Sequence, residues 1–250
     1  MESFHKSIWD SYETEGEWWQ MIAVRISGRR ACYTRPENKV ERVSYPVITP
    51  SAAEGVLRSV YCKSQWFRWA ITRIVVIRRG EWDTIQTNEI KLKTECDIDA
   101  PGVRLQRRSR ILRDVEYIVE ALPVLRVERT DNHNATKHLN ILRERLKAGA
   151  SYRQPCLGQA EYFAEVTLTE LGQNSPLAWT ESLGWMQHST LWHDEHNDNV
   201  KKDKDRKLPT HLFDLFEVKN GVIHVNRQDD VITRFEQAKA LFMQGQEVSQ

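Results

Sequence analysis

The stretch from residue 28 to residue 63 reads GRRACYTRPENKVERVSYPVITPSAAEGVLRSVYCK and joins a basic loop to a capped helix. The loop is rich in cations, because six Lys and Arg residues lie from Arg25 to Arg42 against two Glu. Tyr33 and Tyr45 are set among them. Cations hold phosphates, and aromatic rings stack on unpaired bases. The loop is therefore suited to both kinds of contact.

The helix that follows the loop carries two start signals. Thr49 is a favourable N-cap residue, and Pro50 suits the first helical position, where its missing N–H is no loss. We therefore predict a helix over residues 50–62 that ends near Tyr61 and Lys63.

Periodicity and composition predict the elements around this helix. Ile22, Val24 and Ile26 share one face of residues 21–27, which is the alternation of a half-buried strand. The later elements follow from β-branched content, from apolar residues at helical spacing and from loop composition. They are strands over 71–77, 81–90 and 115–127, a loop over 91–112, and a helix over 136–148 that ends at Gly149.

The order β-α-β-β-α, with further strands after residue 160, is typical of a ferredoxin-like unit. The expected fold class is α+β, a ferredoxin-like (RRM-like) N-terminal domain with a β-rich C-terminal extension. The predicted divisions are an N-terminal extension over 1–20, the ferredoxin-like domain over 21–160 and the β-rich region over 161–250. Within the last region we expect a strand over 164–169, a hairpin over 212–225 that turns at Asn220-Gly221, and a closing helix over 229–244.

Composition is that of a folded protein that stays in the cytoplasm. The chain has 250 residues, 40% hydrophobic content and nine Trp, which excludes a disordered chain. No apolar run approaches the ~20 residues needed to cross a bilayer, and residues 1–20 lack the regions of a signal peptide. The four cysteines lie far apart without a Cys-x-x-Cys motif, so we expect reduced thiols rather than a disulfide framework or a zinc ribbon.

Charge is segregated along the chain, although the net charge is only +1. Residues 1–20 carry a charge of −4, residues 100–113 carry +5 and residues 137–153 carry +4. The low net charge argues against indiscriminate coating of nucleic acid. If the basic segments share one face, they form an electropositive track; otherwise each is a solvated surface with chance clustering.

Lys137 and His138 break a local rule, because both lie in the first turn of a predicted helix, where the helix dipole favours acids. One interpretation is a surface Lys beside a His that packs or bonds locally. The other is a phosphate site, in which the same dipole lowers the His pKa and keeps the imidazole neutral near pH 7. The residues alone favour the first interpretation.

Six short segments resemble one known family. The first three are Ala-Cys-Tyr-Thr-Arg-Pro-Glu at 31–37, Lys-Val-Glu-Arg-Val-Ser-Tyr at 39–45 and Thr-Pro-Ser-Ala-Ala at 49–53. Lys-His-Leu at 137–139, Arg-Leu-Lys-Ala-Gly at 145–149 and Gln-Pro-Cys-Leu-Gly at 154–158 continue the likeness. With these segments the chain resembles the CRISPR-associated endoribonuclease of type I-C (Dvulg subtype) systems, in the RAMP superfamily.

The resemblance implies that Tyr61, Lys137 and His138 form a catalytic set that works without a metal or another cofactor. Such cleavage of RNA needs a base for the 2′-hydroxyl, a cation near the phosphorane and an acid for the 5′-oxygen. We assign His138 as the base and Lys137 as the electrostatic stabiliser. Tyr61 orients the nucleophile or transfers a proton, since an unperturbed Tyr pKa of ~10 makes a poor base. The products would be a 2′,3′-cyclic phosphate and a 5′-hydroxyl.

The implied substrate is the repeat hairpin of CRISPR precursor RNA. The implied partners are the crRNA 5′ handle and the backbone, large and small subunits of the type I-C surveillance complex; target DNA is reached indirectly and no membrane is involved. Predicted RNA contacts come from the basic loop and the later Arg cluster. They are Arg29, Arg30, Tyr33, Arg35, Lys39, Arg42, Lys63, Arg104, Arg107 and Arg108. Arg29 departs from the family pattern, where an acidic residue is expected after Gly28.

Two other functions and one rival chemistry are left open. The chain could be a non-catalytic subunit that holds the crRNA 5′ handle, or an unrelated ferredoxin-like binding module. The rival chemistry is a metal site formed by His188, His193 and His196 with nearby acids. We do not favour it, because the spacing lacks a His-Glu-x-x-His helix.

Overall fold

The computed structural model describes residues 21–38, 40–64, 66–90, 104–125, 134–172, 175–191, 210–228, 230–234 and 237. Within these ranges the chain has a mixed α/β fold that is mostly antiparallel sheet. In chain order the elements are β1 (Ile22–Ala31), α1 (Pro50–Val60), β2 (Phe67–Arg78), β3 (Glu81–Ile90), β4 (Arg104–Leu125), α2 (Ala135–Lys147), β5 (Glu165–Thr169), β6 (Glu181–Leu191), β7 (Thr210–Val218) and β8 (Val222–His224). None of the described helices is long and apolar enough to cross a membrane.

The local signals in the sequence act as predicted. Ile22, Val24 and Ile26 are buried on one side of β1, whereas Arg25 is exposed. At the start of α1, the Thr49 side chain accepts a hydrogen bond from the backbone N–H of Ala52 at 3.2 Å. These two elements are therefore confirmed, including the cap.

The main sheet has six described strands, in the order β5-β1-β4-β2-β8, with β3 paired to β4 outside this path. All of these pairings are antiparallel. β4 is long enough to pair with three strands. Its first part pairs with β3, and its second part pairs with β1 on one side and β2 on the other. β5 and β8 both follow residue 160, so the sheet is not confined to the predicted domain over 21–160.

The helices and the sheet share one hydrophobic core. β4 contributes Tyr117, Val119 and Ala121, which alternate along the strand and are fully buried. The two helices each add one apolar stripe. These residues are Ala53, Val56, Leu57 and Val60 of α1, and Leu139, Leu142 and Leu146 of α2. Burying one Leu side chain stabilises the fold by about 1.5–3 kcal/mol, so this face holds both helices in place.

The prediction of a loop over residues 91–112 is wrong for residues 104–112, the part that the structure describes. Residues 104–112 are the first part of β4 and pair with β3 in register, for example Arg107 opposite Thr87. One cation is accommodated by an acid that lies diagonally across from it on the neighbouring strand, since Glu89 Oε2 is 2.8 Å from Arg107 Nε. Cross-strand pairing thus outweighs the loop-like composition. Residues 91–103 lie outside the described residues.

The predicted turn at Asn220-Gly221 is present, but the strands around it separate. Asn220 and Gly221 both have positive φ, 48° and 77°, as a type I′ turn requires. β7 then pairs with β6 in a two-stranded sheet, whereas β8 pairs with β2 in the main sheet. β6 has no counterpart among the predicted strands.

The predicted helix over 229–244 is helical at 230–234 and at 237, and its other residues lie outside the described ranges. The predicted N-terminal extension over 1–20 also lies outside them. The strand predicted over 164–169 corresponds to β5, and the helix over 136–148 corresponds to α2.

Candidate active site

Two helix ends bring Tyr61 and His138 together. Tyr61 is the C-cap of α1, and its backbone carbonyl accepts a hydrogen bond from Trp69 Nε1 at 3.0 Å. His138 lies in the first turn of α2, which begins at a capping residue, Asn134. The Asn134 side chain accepts from the backbone N–H of Lys137 at 2.8 Å. Each of these two candidate residues thus lies at or next to a capped helix end.

The two side chains form one buried contact. Tyr61 Oη lies 3.0 Å from His138 Nδ1, although the residues are 77 positions apart in sequence. The imidazole also stacks on Phe67, with ring centroids 4.2 Å apart. Tyr61 is 5% exposed and His138 is 1% exposed. The pair is therefore held rigidly and shielded from water.

Burial keeps the Tyr61 phenol protonated. Burial raises the pKa of the Tyr61 phenol above its ordinary value, and the Arg145 guanidinium opposes this only in part. The phenol therefore stays protonated at neutral pH and cannot act as a base there. It can donate a hydrogen bond to His138 Nδ1, or accept one from it while the hydroxyl proton points elsewhere.

One arginine contacts this pair, and two lysines lie close to it in sequence. Lys137 and Lys63, both predicted from the sequence, are exposed beside His138 and Tyr61. Arg145 was not among the predicted site residues, yet its Cζ lies 5.5 Å from the centroid of the Tyr61 ring. Arg145 Nη1 also donates to the carbonyl of Val60 at 3.0 Å. The signal was available in the sequence, since Arg145 follows His138 by seven residues, which is two helical turns on the same face.

The basic loop places several of its predicted cations at the surface. Arg29 and Arg30 are exposed near the end of β1. Arg35 Cζ lies 5.0 Å from the centroid of the Tyr45 ring. Arg42 Nη1 donates to Gln159 Oε1 at 3.0 Å. These contacts hold Arg35 and Arg42 in defined positions.

Tyr33 is less exposed than the composition of this loop suggests. It is 3% exposed and packs edge-on against Tyr117, with ring centroids 6.4 Å apart. Burial raises the pKa of its phenol well above the ordinary value. The ring packs in the core, because loop composition does not reveal which way a side chain points. Its contact with RNA stays a prediction.

The later Arg cluster lies on β4 and is spread along a strand. Arg108 is exposed opposite Gln86, and Arg107 is partly buried beside Glu89. Arg104 pairs with Ile90 in the ladder. The Arg104 side chain and Lys39 lie outside the part of the chain that the structure describes.

The rival metal site finds no support among the described residues. No group of three or more His, Cys, Asp or Glu in the described ranges could hold a metal ion. His188 Nε2 lies 2.7 Å from the carbonyl oxygen of Asn226, so this nitrogen is used within the fold. His193 and His196 lie outside the described residues.

The fold and the site together define a class of protein. An antiparallel sheet with helices on one face, a basic surface loop and a buried Tyr–His pair among cations is suited to binding RNA and to proton transfer. A family model described as CRISPR-associated protein (Cas_Cas5) matches residues 21–226. This match spans more than half of the chain, so the protein belongs to that family.

Two curated relatives have the same printed name, CRISPR pre-crRNA endoribonuclease Cas5d. The relative from Mannheimia succiniciproducens is 34% identical over 225 residues, which cover 82% of this chain and 94% of the relative. The relative from Thermus thermophilus is 42% identical over 142 residues, which cover 56% of this chain and 61% of the relative. The resemblance stated from the sequence motifs is thereby confirmed.

Two solved structures share the fold. One is a crystal structure of a CRISPR-associated protein, with a TM-score of 0.61 and 23% identity over 84% of this chain and 93% of that one. The other is a functionally uncharacterized protein from Streptococcus mutans, with a TM-score of 0.58 and 23% identity over the same shares. At this identity they support the mixed α/β fold and say nothing about the site.

Proposed function

We propose that this protein is a metal-independent endoribonuclease that cleaves CRISPR precursor RNA at the repeat hairpin. Family membership and the shared name of the two curated relatives support this function. The observation on which the chemistry depends is the 3.0 Å contact between Tyr61 Oη and His138 Nδ1. It joins the His138 imidazole to the Tyr61 hydroxyl, and exposed cations lie close to both in sequence. Acid–base cleavage of RNA needs these kinds of group.

We propose the following division of roles. His138 takes the proton from the 2′-hydroxyl, and the resulting oxygen attacks the adjacent phosphorus. Lys137 stabilises the charge of the phosphorane, and the His138 imidazolium gives the proton it has taken to the 5′-oxygen as the P–O bond breaks. Tyr61 fixes the orientation of the imidazole that relays this proton through the contact at Nδ1, and its own phenol stays neutral. A 2′,3′-cyclic phosphate and a 5′-hydroxyl result.

We also propose the finer fold assignment, a ferredoxin-like unit. The supporting feature is the strand order β5-β1-β4-β2, since these strands with α1 and α2 follow the chain order β-α-β-β-α-β. In this interpretation β3 is an addition to the hairpin between β2 and β4. Residues 21–160 with β5 would then form the RNA-binding and catalytic unit, and the remaining strands an extension of it.

We propose that the RNA contacts lie on the exposed cations around the site. Arg29, Arg30 and Lys63 are exposed, so their charges are accessible to phosphates. After cleavage the protein stays on the crRNA 5′ handle in the cytoplasm. There it joins the backbone, large and small subunits of the type I-C surveillance complex.

A second candidate function is a non-catalytic subunit that holds the 5′ handle. One observation favours it, because His138 is 1% exposed and a base must reach the 2′-hydroxyl. In that case the Tyr61–His138 pair would serve to fix α2 and to present Lys137. The two candidates share the RNA and differ only in whether the bond is cut.

The test is cleavage of a cognate repeat RNA by the purified protein in excess EDTA. We compare wild type, His138→Ala and a control, His224→Ala, which removes a histidine on β8. A fourth reaction uses wild type and RNA with a 2′-deoxy group at the scissile nucleotide. Cleavage by wild type and His224→Ala alone supports the endoribonuclease. Tight binding without cleavage refutes it and leaves the handle-binding subunit.

A further inference from the structure

A cavity of about 360 Å³ lies next to the basic loop and away from the Tyr61–His138 pair. It is formed by the loop, the first half of α1, the turn near residue 156 and β6. The side chains and backbone that line it include Thr34, Tyr45, Ser51, Gly55, Cys156 and Gln187. Its volume falls in the range of about 300–1,000 Å³ that is typical of small-ligand pockets.

The chemistry of the walls is that of a site for a flat polar molecule. Thr34, Tyr45 and Ser51 supply hydroxyl groups that can donate or accept hydrogen bonds. Burial raises the pKa of the Tyr45 phenol, so this hydroxyl stays neutral at physiological pH. Gln187 adds an amide, whereas Ala52, Gly55, Cys156 and Gly158 make the other parts of the wall small. A nucleobase, with an apolar face and polar edges, matches such walls.

Gly55 lines this cavity at an exposed position of α1. It lies in the middle of α1, where Gly destabilises a helix by roughly 0.5–1 kcal/mol relative to Ala. A Cβ built at Gly55 meets no atom within 4 Å, so no packing inside the protein requires the missing side chain. The absence of a side chain instead leaves room for a ligand to approach the helix backbone.

Two arginines contact residues of the cavity, one directly and one through Gln159. Arg35 lies over the Tyr45 ring, with Cζ 5.0 Å from the centroid. Arg42 is linked to Thr34 through Gln159, by contacts of 3.0 Å from Arg42 and 3.3 Å to Thr34 Oγ1. Guanidinium groups fixed in this way beside a base-sized cavity are placed to bind the phosphates on either side of one nucleotide.

We propose that this cavity binds one unstacked nucleobase of the RNA substrate, with its flanking phosphates on Arg35 and Arg42. The inference rests on the proposed function, since it assigns a subsite to the same RNA. The bound nucleotide is distinct from the scissile one. Gly55 and Tyr61 are six residues apart, which is ~9 Å along the axis of α1 and its C-cap at 1.5 Å per residue.

The first test fills the cavity by Gly55→Leu. Because Leu is a better helix former than Gly, the urea midpoint should not fall. We expect the Kd for the cognate repeat RNA, measured by fluorescence anisotropy, to rise about tenfold, the scale of one lost base contact. Gly55→Ala should have a smaller effect, and Glu144→Leu, which places Leu at an exposed position of α2, should have none. A Gly55→Leu protein that binds like wild type overturns the proposal.

The second test uses the wild-type protein and RNAs with one abasic nucleotide at successive positions. One position should weaken binding by about tenfold, and the same RNA should bind Gly55→Leu no more weakly than unmodified RNA does. Equal losses in both proteins at every position refute the pocket, even if Gly55→Leu is poorly folded. Cleavage of unmodified RNA by wild type reports on the proposed function separately. A pocket that is confirmed without cleavage would therefore refute only the catalytic role.

Discussion

The hydrogen bond between Tyr61 and His138 allows the sharpest test of the structure, by a double-mutant cycle. Both side chains are buried, so removing one partner takes away a hydrogen bond that water does not replace. Tyr61→Phe deletes only the hydroxyl and keeps the ring against Phe67, 5.5 Å away between centroids. The loss of a buried polar partner costs about 1–3 kcal/mol. For a protein of this size that lowers Tm by about 2–12 °C.

His138→Ala should cost more, because it also removes the ring that stacks on Phe67 at 4.2 Å. We expect about 3–5 kcal/mol, the range for large-to-small changes of buried rings. In the double variant no polar group is left behind by its partner. Its loss should therefore be smaller than the sum of the single losses by about 1–3 kcal/mol.

The assay is urea unfolding at pH 7, followed by Trp fluorescence, for wild type and the three variants. Tyr152→Phe is the control, because Tyr152 is 67% exposed, and its free energy of unfolding should change by less than about 0.5 kcal/mol. Additive losses within about 0.5 kcal/mol, or a Tyr61→Phe protein as stable as wild type, would refute the buried contact. The proposed proton relay would then lose its geometric basis.

Three further predictions concern a cap, a buried histidine and a cation of the loop. Thr49→Ala should lower the free energy of unfolding by about 1 kcal/mol in urea, because it removes the N-cap of α1. Burial lowers the pKa of His188 in the folded protein below its value in the unfolded chain. As pH drops below ~6.5, the unfolded chain therefore binds more protons than the folded protein, and wild-type stability should fall. His188→Gln should flatten this dependence in urea unfolding at a series of pH values. Arg42→Ala should weaken binding of repeat RNA and reduce the slope of log K against log[salt] by about 1.

Each of these expectations has a result that contradicts it. Thr49→Ser keeps a capping hydroxyl. If Thr49→Ser and Thr49→Ala lower the free energy of unfolding equally, the loss does not come from the cap. If His188→Gln leaves the pH dependence of stability unchanged, other groups cause that dependence. Lys219→Ala, at the exposed turn beside Gly221, is the control for Arg42→Ala. If both variants reduce the salt slope equally, the loop has no special part in binding.

Sequence reasoning succeeded where a structure depends on near neighbours along the chain. The Thr49 cap, the alternation in β1 and the turn at Asn220-Gly221 involve residues within four positions of one another. Their backbone preferences act in any surroundings, so the pattern is sufficient. The same reasoning was wrong for residues 104–112. Their strand conformation depends on pairing with β3, which composition alone does not reveal.

The sequence by itself determined the two helices, the family and a short set of chemically suited residues, which include Tyr61 and His138. Only the tertiary structure decided how these residues are used. It placed Tyr61 in contact with His138 across 77 positions, turned Tyr33 into the core and brought Arg145 to the Tyr61 ring. It also opened a cavity beside Gly55. The physical reason is that these contacts arise when helices pack on a shared sheet, where side-chain direction and burial depend on distant partners.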